Sequence, residues 1–404
     1  MKTSWWPRLK SLSAPSLEAV QALVPTMSRR LLFVVNVDWF FLSHRLPVAL
    51  AAMRAGYEVH VATGITDRLT ELQSYGLAVH PLRMRRGRAG IAAEWGAFFE
   101  LVQLFRAVKP DLVHLVTIKP VLYGGIAARL AGTRAVVAAI SGLGFVFVDN
   151  GVRAQLRRLV VGWLYRLALG KAALKVIFQN ENDRDCLVQL ARLLSSKHEI
   201  IRGSGVNMSQ YVPTPLPTGV PVIVMACRLI ADKGVWEFIE AARLLRQRSV
   251  ACRLCLVGSI DTDNPASLSN ADLARIRAEG IVELWGQRSD MAHVMAQAHI
   301  VALPSYYGEG LPKVLIEAAA CGRAVVTTDM PGCRDAVLPG QSGMLVPARD
   351  SVALANAFQL LIGDPLLCAK MGRAGRTFAQ REFDLAGVVA RHLGIYKELL
   401  DQCQ

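Results

Sequence analysis

Two glutamates eight residues apart, Glu309 and Glu317, sit where a loop runs into a helix, and their setting restricts what they can do. An apolar strand over His299–Leu303 leads into a Gly/Pro-containing loop that carries Glu309, and a helix is expected from about Leu311 or Pro312 with Glu317 inside it. A helix N-terminus gathers unpaired N–H groups and partial positive charge, which suits phosphate. A carboxylate repels that anion, so the two glutamates are read as facing hydroxyls, those of a sugar and of a ribose. A Glu on a helix can also simply face solvent, but Val314, Leu315, Ile316, Ala318, Ala319 and Ala320 leave Glu317 little polar face. Upstream, Arg228 and Lys233 follow another apolar strand, with Gly234 beside them. Arg supplies a planar fork and Lys a point charge, and together they can grip a diphosphate. Their value to a reaction lies in stabilising negative charge on a departing nucleoside diphosphate. Alone, the pair reads as surface cations on a loop; with the two glutamates downstream it reads as a nucleotide-sugar site.

The elements that must hold these residues alternate between strand and helix. Strands are expected at Leu31–Val37, Glu58–Thr63, Leu112–Leu115, Ala135–Ile140 and Val176–Gln179, with helices between them, one over Leu46–Ala55 ended by Gly56. A second series runs from Val220 through Leu345, and the Pro-rich stretch Pro213–Pro217 joins the two. Strands alternating with helices imply a parallel sheet covered on both faces. The fold class is therefore α/β, with two Rossmann-like doubly wound parallel-sheet domains facing a central cleft. The expected division is an extension at 1–27, a first domain at 28–212, a second at 213–385 and a last helix at 386–404. Ligands of such sheets bind beyond the carboxyl ends of the strands, where Asp38, Ser141, Arg228 and Glu309 all fall.

At 404 residues with 52% apolar and 19% charged content, the chain can bury large cores and is not disordered. Its net charge of +14 is unevenly placed: the first 205 residues hold 27 Lys and Arg against 13 Asp and Glu, the remainder 19 of each. No aromatic stacking platform or reading motif for nucleic acid accompanies this excess. An anionic membrane surface or a diphosphate-bearing acceptor fits it, as does a solvated basic surface. No transmembrane span is expected, because the most apolar stretch, Leu159–Phe178, contains Arg166, Lys171 and Lys175. Residues 1–26 are broken by Pro7 and Pro15, unlike a signal peptide, and Met27 is either the true start or the beginning of the domain. Trp5, Trp6, Lys2, Arg8 and Lys10 could touch lipid headgroups or lie in a disordered tail. The segment Arg153–Lys175 has an apolar seam at Leu156, Val160, Trp163, Leu167 and Leu174 edged by Arg153, Arg157, Lys171 and Lys175. Core packing is the expected role of that seam, with its basic edge available to lipid headgroups. Arg83, Arg85, Arg86 and Arg88 form a second basic cluster. The eight cysteines are scattered; Cys252 and Cys255 fall in a strand-like run, where positions three apart face opposite sides, so buried packing is expected of them. Asp261 and Asp263 form a D-x-D triplet, a weak sign of a metal site, and no metal requirement is expected.

The stretch from Glu309 to Glu317 resembles the E-x7-E signature of the retaining glycosyltransferases of family 4, which have the GT-B fold. The likeness extends to Arg228…Lys233-Gly234, Leu256-Val-Gly258, Asp263-Asn-Pro265, Leu284-Trp-Gly286, Asp329…Asp335 and Gly343…Pro347 in the family's order. Asn36…Arg45 and Ile140…Phe145 resemble a branch that adds sugars to polyprenyl-diphosphate-linked oligosaccharides. The resemblance runs from about Arg30 to about Leu400. It implies that Glu309 contacts hydroxyls of the transferred sugar and Glu317 those of the ribose. It implies backbone amides of Gly310 and Leu311 on the diphosphate, base recognition at Gly286 and Gln287, Gly258 in the donor site, and a last helix packed back on the first domain.

The same resemblance places Asp38, His44 and Arg45 on a loop facing the acceptor. Many relatives have two adjacent glycines there; this chain does not, which suggests a loop built for a large acceptor diphosphate, with Arg45 either touching phosphate or pairing locally. Many relatives also have a His near the anomeric carbon where this chain has Ser141, so the hydrogen bond would come from Ser141, from a backbone group, or not be made. His114, read as the end of its strand, and Lys119 on the following loop are further cleft candidates, though an internal His is commonly a core polar group. The resulting expectation is a metal-independent retaining glycosyltransferase with no cofactor, at the cytoplasmic face of a membrane. Its donor would be a UDP-sugar, its acceptor a lipid-linked saccharide. A GT-B nucleotide-sugar epimerase and a non-catalytic glycan-binding scaffold are the rivals; the basic first half speaks against the former, the presence of Arg228, Lys233 and Glu309 against the latter.

Overall fold

The computed structural model describes residues 29–84, 90–143 and 152–403. The terminal extension, Arg85, Arg86 and Arg88, and the Gly144-Phe145 pair therefore lie outside the described residues, as do the side chains of Arg153, Leu156 and Arg157.

Two parallel sheets organise the chain. The first is built from β1 (Arg30–Val35), β2 (Glu58–Thr63), β3 (Ala78–Pro81), β4 (Leu112–Val116), β5 (Ala135–Ile140), β6 (Leu174–Phe178) and β7 (His198–Ile200), in the order β3-β2-β1-β4-β5-β6-β7. Its helices are α1 (Asp38–His44), α2 (Leu46–Arg54), α3 (Leu69–Ser74), α4 (Ile91–Val108), α5 (Ile118–Leu130), α6 (Val152–Ala168) and α7 (Glu181–Ala191). The second contains β8 (Val222–Ala226), β9 (Arg253–Val257), β10 (Glu283–Gly286), β11 (Ile300–Leu303), β12 (Ala324–Thr328) and β13 (Gly343–Val346), in the order β10-β9-β8-β11-β12-β13. Around it lie α8 (Val235–Gln247), α9 (Asn270–Glu279), α10 (Met291–Ala296), α11 (Lys313–Ala320), α12 (Ser351–Gly363) and α13 (Pro365–Glu382), and the chain ends in α14 (Leu385–Asp401).

The central strands β4, β5, β6, β8 and β12 are buried along their whole length. That follows from helices on both faces and explains why these strands read as largely apolar runs, interrupted only by His114, Lys175, Thr327 and Thr328. The edge strands β3, β7 and β10 are only partly covered and carry a weaker signal. Cys255 is buried within β9 while Cys252 precedes it, and all eight cysteines are free thiols. Three boundaries differ from the sequence reading. β1 stops at Val35, because Val37 and Asp38 turn away and the Asp38 N–H bonds to the Gly64 carbonyl. β4 continues past His114 to Val116. α6 ends at Ala168 and Leu174 is buried in β6, so the seam over Arg153–Lys175 is not one helix.

Strand order reverses between β1 and β4 in the first sheet and between β8 and β11 in the second. At such reversals the flanking connections diverge to opposite faces and leave a crevice at the carboxyl ends. α14 crosses back to the first domain, where Val388, Ile395, Tyr396, Leu399 and Leu400 share a core with Leu31, Phe33 and Val35. The two chain crossings between domains run side by side: the Val206 N–H bonds to Phe383 O at 2.8 Å and the Leu385 N–H to Val206 O at 3.1 Å.

Candidate functional site

At the β8/β11 reversal, Lys233 and Glu309 meet. Lys233 ends a short helical turn after β8, and Gly234 follows it with φ of 80°. A Cβ at Gly234 would come within 2.1 Å of the Pro304 carbonyl at the end of β11, so only glycine lets the two loops close. That closure brings the Lys233 ammonium onto Glu309 Oε1 in an ion pair. The same oxygen accepts from the Ser305 hydroxyl at 2.9 Å, and the Ser305 carbonyl is in turn held by Thr328. The carboxylate is thus fixed by one cation and one hydroxyl. Arg228, also beyond β8, pairs with Asp261. The first Asp of the D-x-D triplet is therefore the partner that orients the guanidinium. Burial pushes the Cys227 thiol up to about 12, and the charges of Lys233, Glu309 and Arg228 all act on it. The Tyr307 hydroxyl is raised by burial and then by the Glu309 charge, with Lys233 and Arg228 opposing.

Glu317 is buried inside α11, which starts at Lys313. It accepts from the Tyr211 hydroxyl at 2.8 Å and pairs with Lys313, one turn back, at 3.5 Å. Burial, followed by the Glu317 charge, raises the Tyr211 hydroxyl far above its ordinary pKa, so Tyr211 is a fixed donor. The Lys313 ammonium also donates to Ser43 O of the first domain at 3.1 Å, spanning the cleft. Neither partner was singled out from sequence. Lys313 carried a signal in its i,i+4 spacing to Glu317; Tyr211, 106 positions away, carried none.

The Glu309–Leu311 backbone is gripped by the first domain. Asn180 Nδ2 donates to Gly310 O at 2.9 Å and Glu309 O at 3.2 Å, while the Leu311 N–H donates to Gln179 Oε1 at 2.9 Å. A Cβ at Gly310 would stand 2.2 Å from Gln179 Oε1 and 2.9 Å from Ser141 O, so glycine is required for this close approach. The Leu311 amide, read from sequence as a diphosphate donor, is engaged by Gln179. Gly258 ends β9 against the Cys227 carbonyl, and Gly286 and Gln287 lie exposed at the end of the edge strand β10.

In the first domain the named residues divide. Asp38 is fully buried, and its carboxylate accepts from Thr66 N at 2.7 Å, Thr66 Oγ1 at 2.8 Å and Arg68 N at 3.3 Å. It binds the loop after β2 to the loop after β1. His44 stacks on Phe40 with ring centroids 4.0 Å apart and contacts the Ser43 hydroxyl at 2.5 Å. Burial, then the Lys313 and Arg45 charges, lower its pKa well below the ordinary histidine value, so the ring is neutral. Lys313 of the second domain donates to the carbonyl of the adjacent Ser43, which sets His44 beside the cleft.

Arg45 does not face the cleft. It is 2% exposed, donates to the neighbouring His44 carbonyl at 3.0 Å, and burial lowers its pKa to about 10. His114 likewise turns inward, against Phe33, His392 and the Tyr396 hydroxyl at 2.5 Å. Of the alternatives the sequence left open, local pairing holds for Arg45 and the core polar role for His114, which α14 covers. Lys119 begins α5 and pairs with Glu94 at 2.6 Å, beside Tyr123, whose hydroxyl also reaches Glu94. The Ser141 hydroxyl is buried without a partner among the described residues.

A surface feature adjoins this domain's helices. Trp95 and Phe99 on α4 and Trp163 on α6 are 59%, 56% and 61% exposed, with Val160 beside Trp163. The core role expected for Val160 and Trp163 is therefore corrected: Tyr165 and Ala168 are buried, whereas Val160 and Trp163 face outward. Among the described residues no single helix is long and apolar enough to cross a membrane.

Comparison with known proteins adds to this geometry. The family description "Glycosyl transferases group 1" matches residues 220–364, and "Glycosyl transferase 4-like" matches residues 30–180. The N,N'-diacetylbacillosaminyl-diphospho-undecaprenol alpha-1,3-N-acetylgalactosaminyltransferase of Campylobacter jejuni is 28% identical over 89% of this chain and 98% of its own length. The capsular polysaccharide biosynthesis glycosyltransferase CapM of Staphylococcus aureus is 24% identical over 81% of this chain and 86% of its own. Among solved structures, Anabaena HepE in complex with UDP-glucose superposes with a TM-score of 0.70 at 21% identity, covering 90% of this chain and 99% of that one.

Proposed function

This chain belongs to the group 1, family 4 glycosyltransferases with the GT-B fold, and from that premise we propose that it transfers a sugar from a UDP-sugar to a saccharide on a polyprenyl diphosphate, with retention at the anomeric carbon. The observation that carries this reading is the Lys233–Glu309 ion pair at the β8/β11 reversal, with Arg228 on the same loop after β8. Arg228 and Lys233 stabilise the diphosphate as it departs, and Glu309, fixed by Lys233 and Ser305, accepts hydrogen bonds from the sugar's hydroxyls. Glu317, anchored by Tyr211, takes the ribose hydroxyls. The acceptor hydroxyl attacks from the face the diphosphate leaves. The new C–O bond forms as the old one breaks, and the hydroxyl proton passes to the leaving phosphate oxygen. No metal enters this scheme: the leaving charge is met by side-chain cations, and Asp261 is occupied by Arg228.

The Campylobacter relative, matched along nearly its whole length, makes an N-acetylhexosamine the first donor to try and a lipid-linked saccharide the first acceptor. An acceptor held in a bilayer requires the enzyme at that surface, on the cytoplasmic side where UDP-sugars are made. Trp95, Phe99 and Trp163, in the half of the chain that carries the basic excess, suit the headgroup layer of an anionic membrane. The reading is tested by a donor screen with a polyprenyl-diphosphate saccharide in chelator. Transfer with retained configuration from one UDP-sugar is expected; epimerised donor, or binding without turnover in the presence of acceptor, overturns it.

A further inference from the structure

Asn180 follows β6 and is the N-cap of α7, its Oδ1 accepting from the Asp183 N–H at 2.8 Å. That bond decides which way the amide faces. With the oxygen committed to its own helix, the Nδ2 group is left for the loop across the domain boundary, where it donates to Gly310 O at 2.9 Å and Glu309 O at 3.2 Å. Asp183 Oδ2, also at 2.9 Å from Nδ2, holds the amide from the helix side. Gln179, one position earlier, supplies the opposite chemistry, an oxygen that accepts from the Leu311 N–H at 2.9 Å. Both side chains are buried, with Asn180 1% and Gln179 4% exposed. A donor on two carbonyls beside an acceptor on one N–H fixes the direction of the loop backbone whatever its side chains.

Among the described residues, Asn180 and Gln179 are the only hydrogen-bond partners of Glu309 O, Gly310 O and the Leu311 N–H. The Glu309 carboxylate is therefore anchored inside the second domain, by Lys233 and Ser305, while the backbone that carries it is anchored in the first. Buried backbone groups need partners. Separating the domains would hand all three groups to water and release the loop. While it is held, the loop has little room to shift. It passes between Gly142 of the first domain, where a Cβ would stand 2.9 Å from Gly310 N, and Gly332 of the second, where a Cβ would stand 2.5 Å from Glu309 O.

We propose that Asn180 and Gln179 are positioning residues for the transfer reaction: from the first domain they set the backbone on which the second domain's Glu309 is mounted. The carboxylate is then in register only where the two domains meet at this clamp. Small displacements of a group that meets the reacting sugar are costly in rate. This inference rests on the transferase reading above, in which Glu309 meets the transferred sugar, and adds to it the residues that place that glutamate.

Two full-length variants test it. Asn180→Ser keeps a capping oxygen for α7 and removes the amide; Gln179→Met keeps the length and removes the acceptor. Each is expected to lose roughly tenfold in kcat with the donor KM within about twofold of wild type, the pattern of an interaction that counts in the transition state. Melting temperature and UDP affinity should stay close to wild type. In the ligand-free variants, amide hydrogen exchange over residues 303–315 should quicken about tenfold, with exchange in β8 and β9 unchanged. An unchanged kcat in both variants, or unchanged exchange over that segment, overturns the proposal. So does a loss of kcat matched by loss of melting temperature and UDP affinity, the signature of a purely structural contact. If the wild-type protein transfers from no donor, the transferase reading fails by itself and exchange still decides on the clamp. Faster exchange confined to residues 303–315 in the variants upholds it; equal exchange rejects it.

Discussion

Lys233 and Glu309, one beyond β8 and the other beyond β11, form an ion pair whose side chains are 13% and 12% exposed. The site's central cation and central carboxylate thus hold each other in place, and each is poised to give up part of that contact to a ligand. In the proposed reaction a diphosphate would compete for the lysine and a sugar hydroxyl for the glutamate.

Lys233→Ala is expected to lower kcat roughly 10²–10³-fold, the scale of losing one preorganised group that meets developing charge. It should also cost about 1–3 kcal/mol of stability, because Glu309 is left partly buried without its cation. Adding Glu309→Gln should recover most of the stability and none of the activity, as measured by urea unfolding beside a transfer assay. Recovery of activity in the double variant would mean the pair is only structural.

Asp261→Asn separates the orienting role of Asp261 from a metal site. Arg228 then loses its anionic partner, and kcat/KM is expected to fall about tenfold, the worth of one charge-assisted contact. Activity should be insensitive to chelator in both proteins. Abolished transfer in Asp261→Asn together with chelator sensitivity in wild type would assign the triplet to a metal.

Membrane attachment is expected to depend on the exposed aromatics. Replacing Trp95, Phe99 and Trp163 together by Ser should reduce co-sedimentation with vesicles containing an anionic phospholipid about tenfold or more. Circular dichroism and transfer to a soluble, short-chain acceptor should be retained. High salt should weaken wild-type binding through the basic contribution.

Stability should fall as pH drops below about 6.5. His44, His114 and His392 all have folded-state pKa values lowered first by burial, with His392 at about 3, so the unfolded chain binds protons that the folded chain does not. Stability that is full above the unfolded pKa is then lost on acidification, at about 1.4 kcal/mol per pH unit for each such group. Asp183, which burial raises to about 6, acts in the opposite sense between that pH and its unfolded value. In His392→Gln the slope of urea-unfolding free energy between pH 6 and 4 should be shallower by roughly that amount; an unchanged slope would show that His392 titrates normally.

Much of the architecture could be read from the sequence because it is local. Ala135–Ile140 is an apolar run and Glu58–Thr63 a short β-rich stretch carrying Val59, Val61 and Ala62; both lie between helix-like segments, and their strands have the boundaries read from sequence. Glu309, Glu317, Arg228 and Lys233 stood out because loop and helix chemistry is written in adjacent residues. For His114 the choice between cleft and core was undecided in the sequence because nothing near it in the chain announces α14, which arrives more than 270 positions later to cover it through Tyr396. Gln179 and Asn180 were invisible for the same reason: their partners at Glu309–Leu311 are set by how two domains meet. The outward face of Val160 and Trp163 was misjudged because periodicity shows that a helix has an apolar stripe without showing what covers it.

The return of α14 to the first domain makes the two halves unequal as pieces of protein. The segment from β8 to α13 has its own continuous core and can be excised with two cuts placed next to each other, at Val206 and Leu385. The first half cannot be obtained by truncation, since a chain stopped at the linker lacks Ile395, Tyr396 and Leu399 from its interior. A circular permutant that joins residue 403 directly to the start of β1 and opens the chain elsewhere would keep that interior whole. The second domain is thus arranged as an insert within the first, an arrangement in which the inserted module can be exchanged while the first domain stays intact.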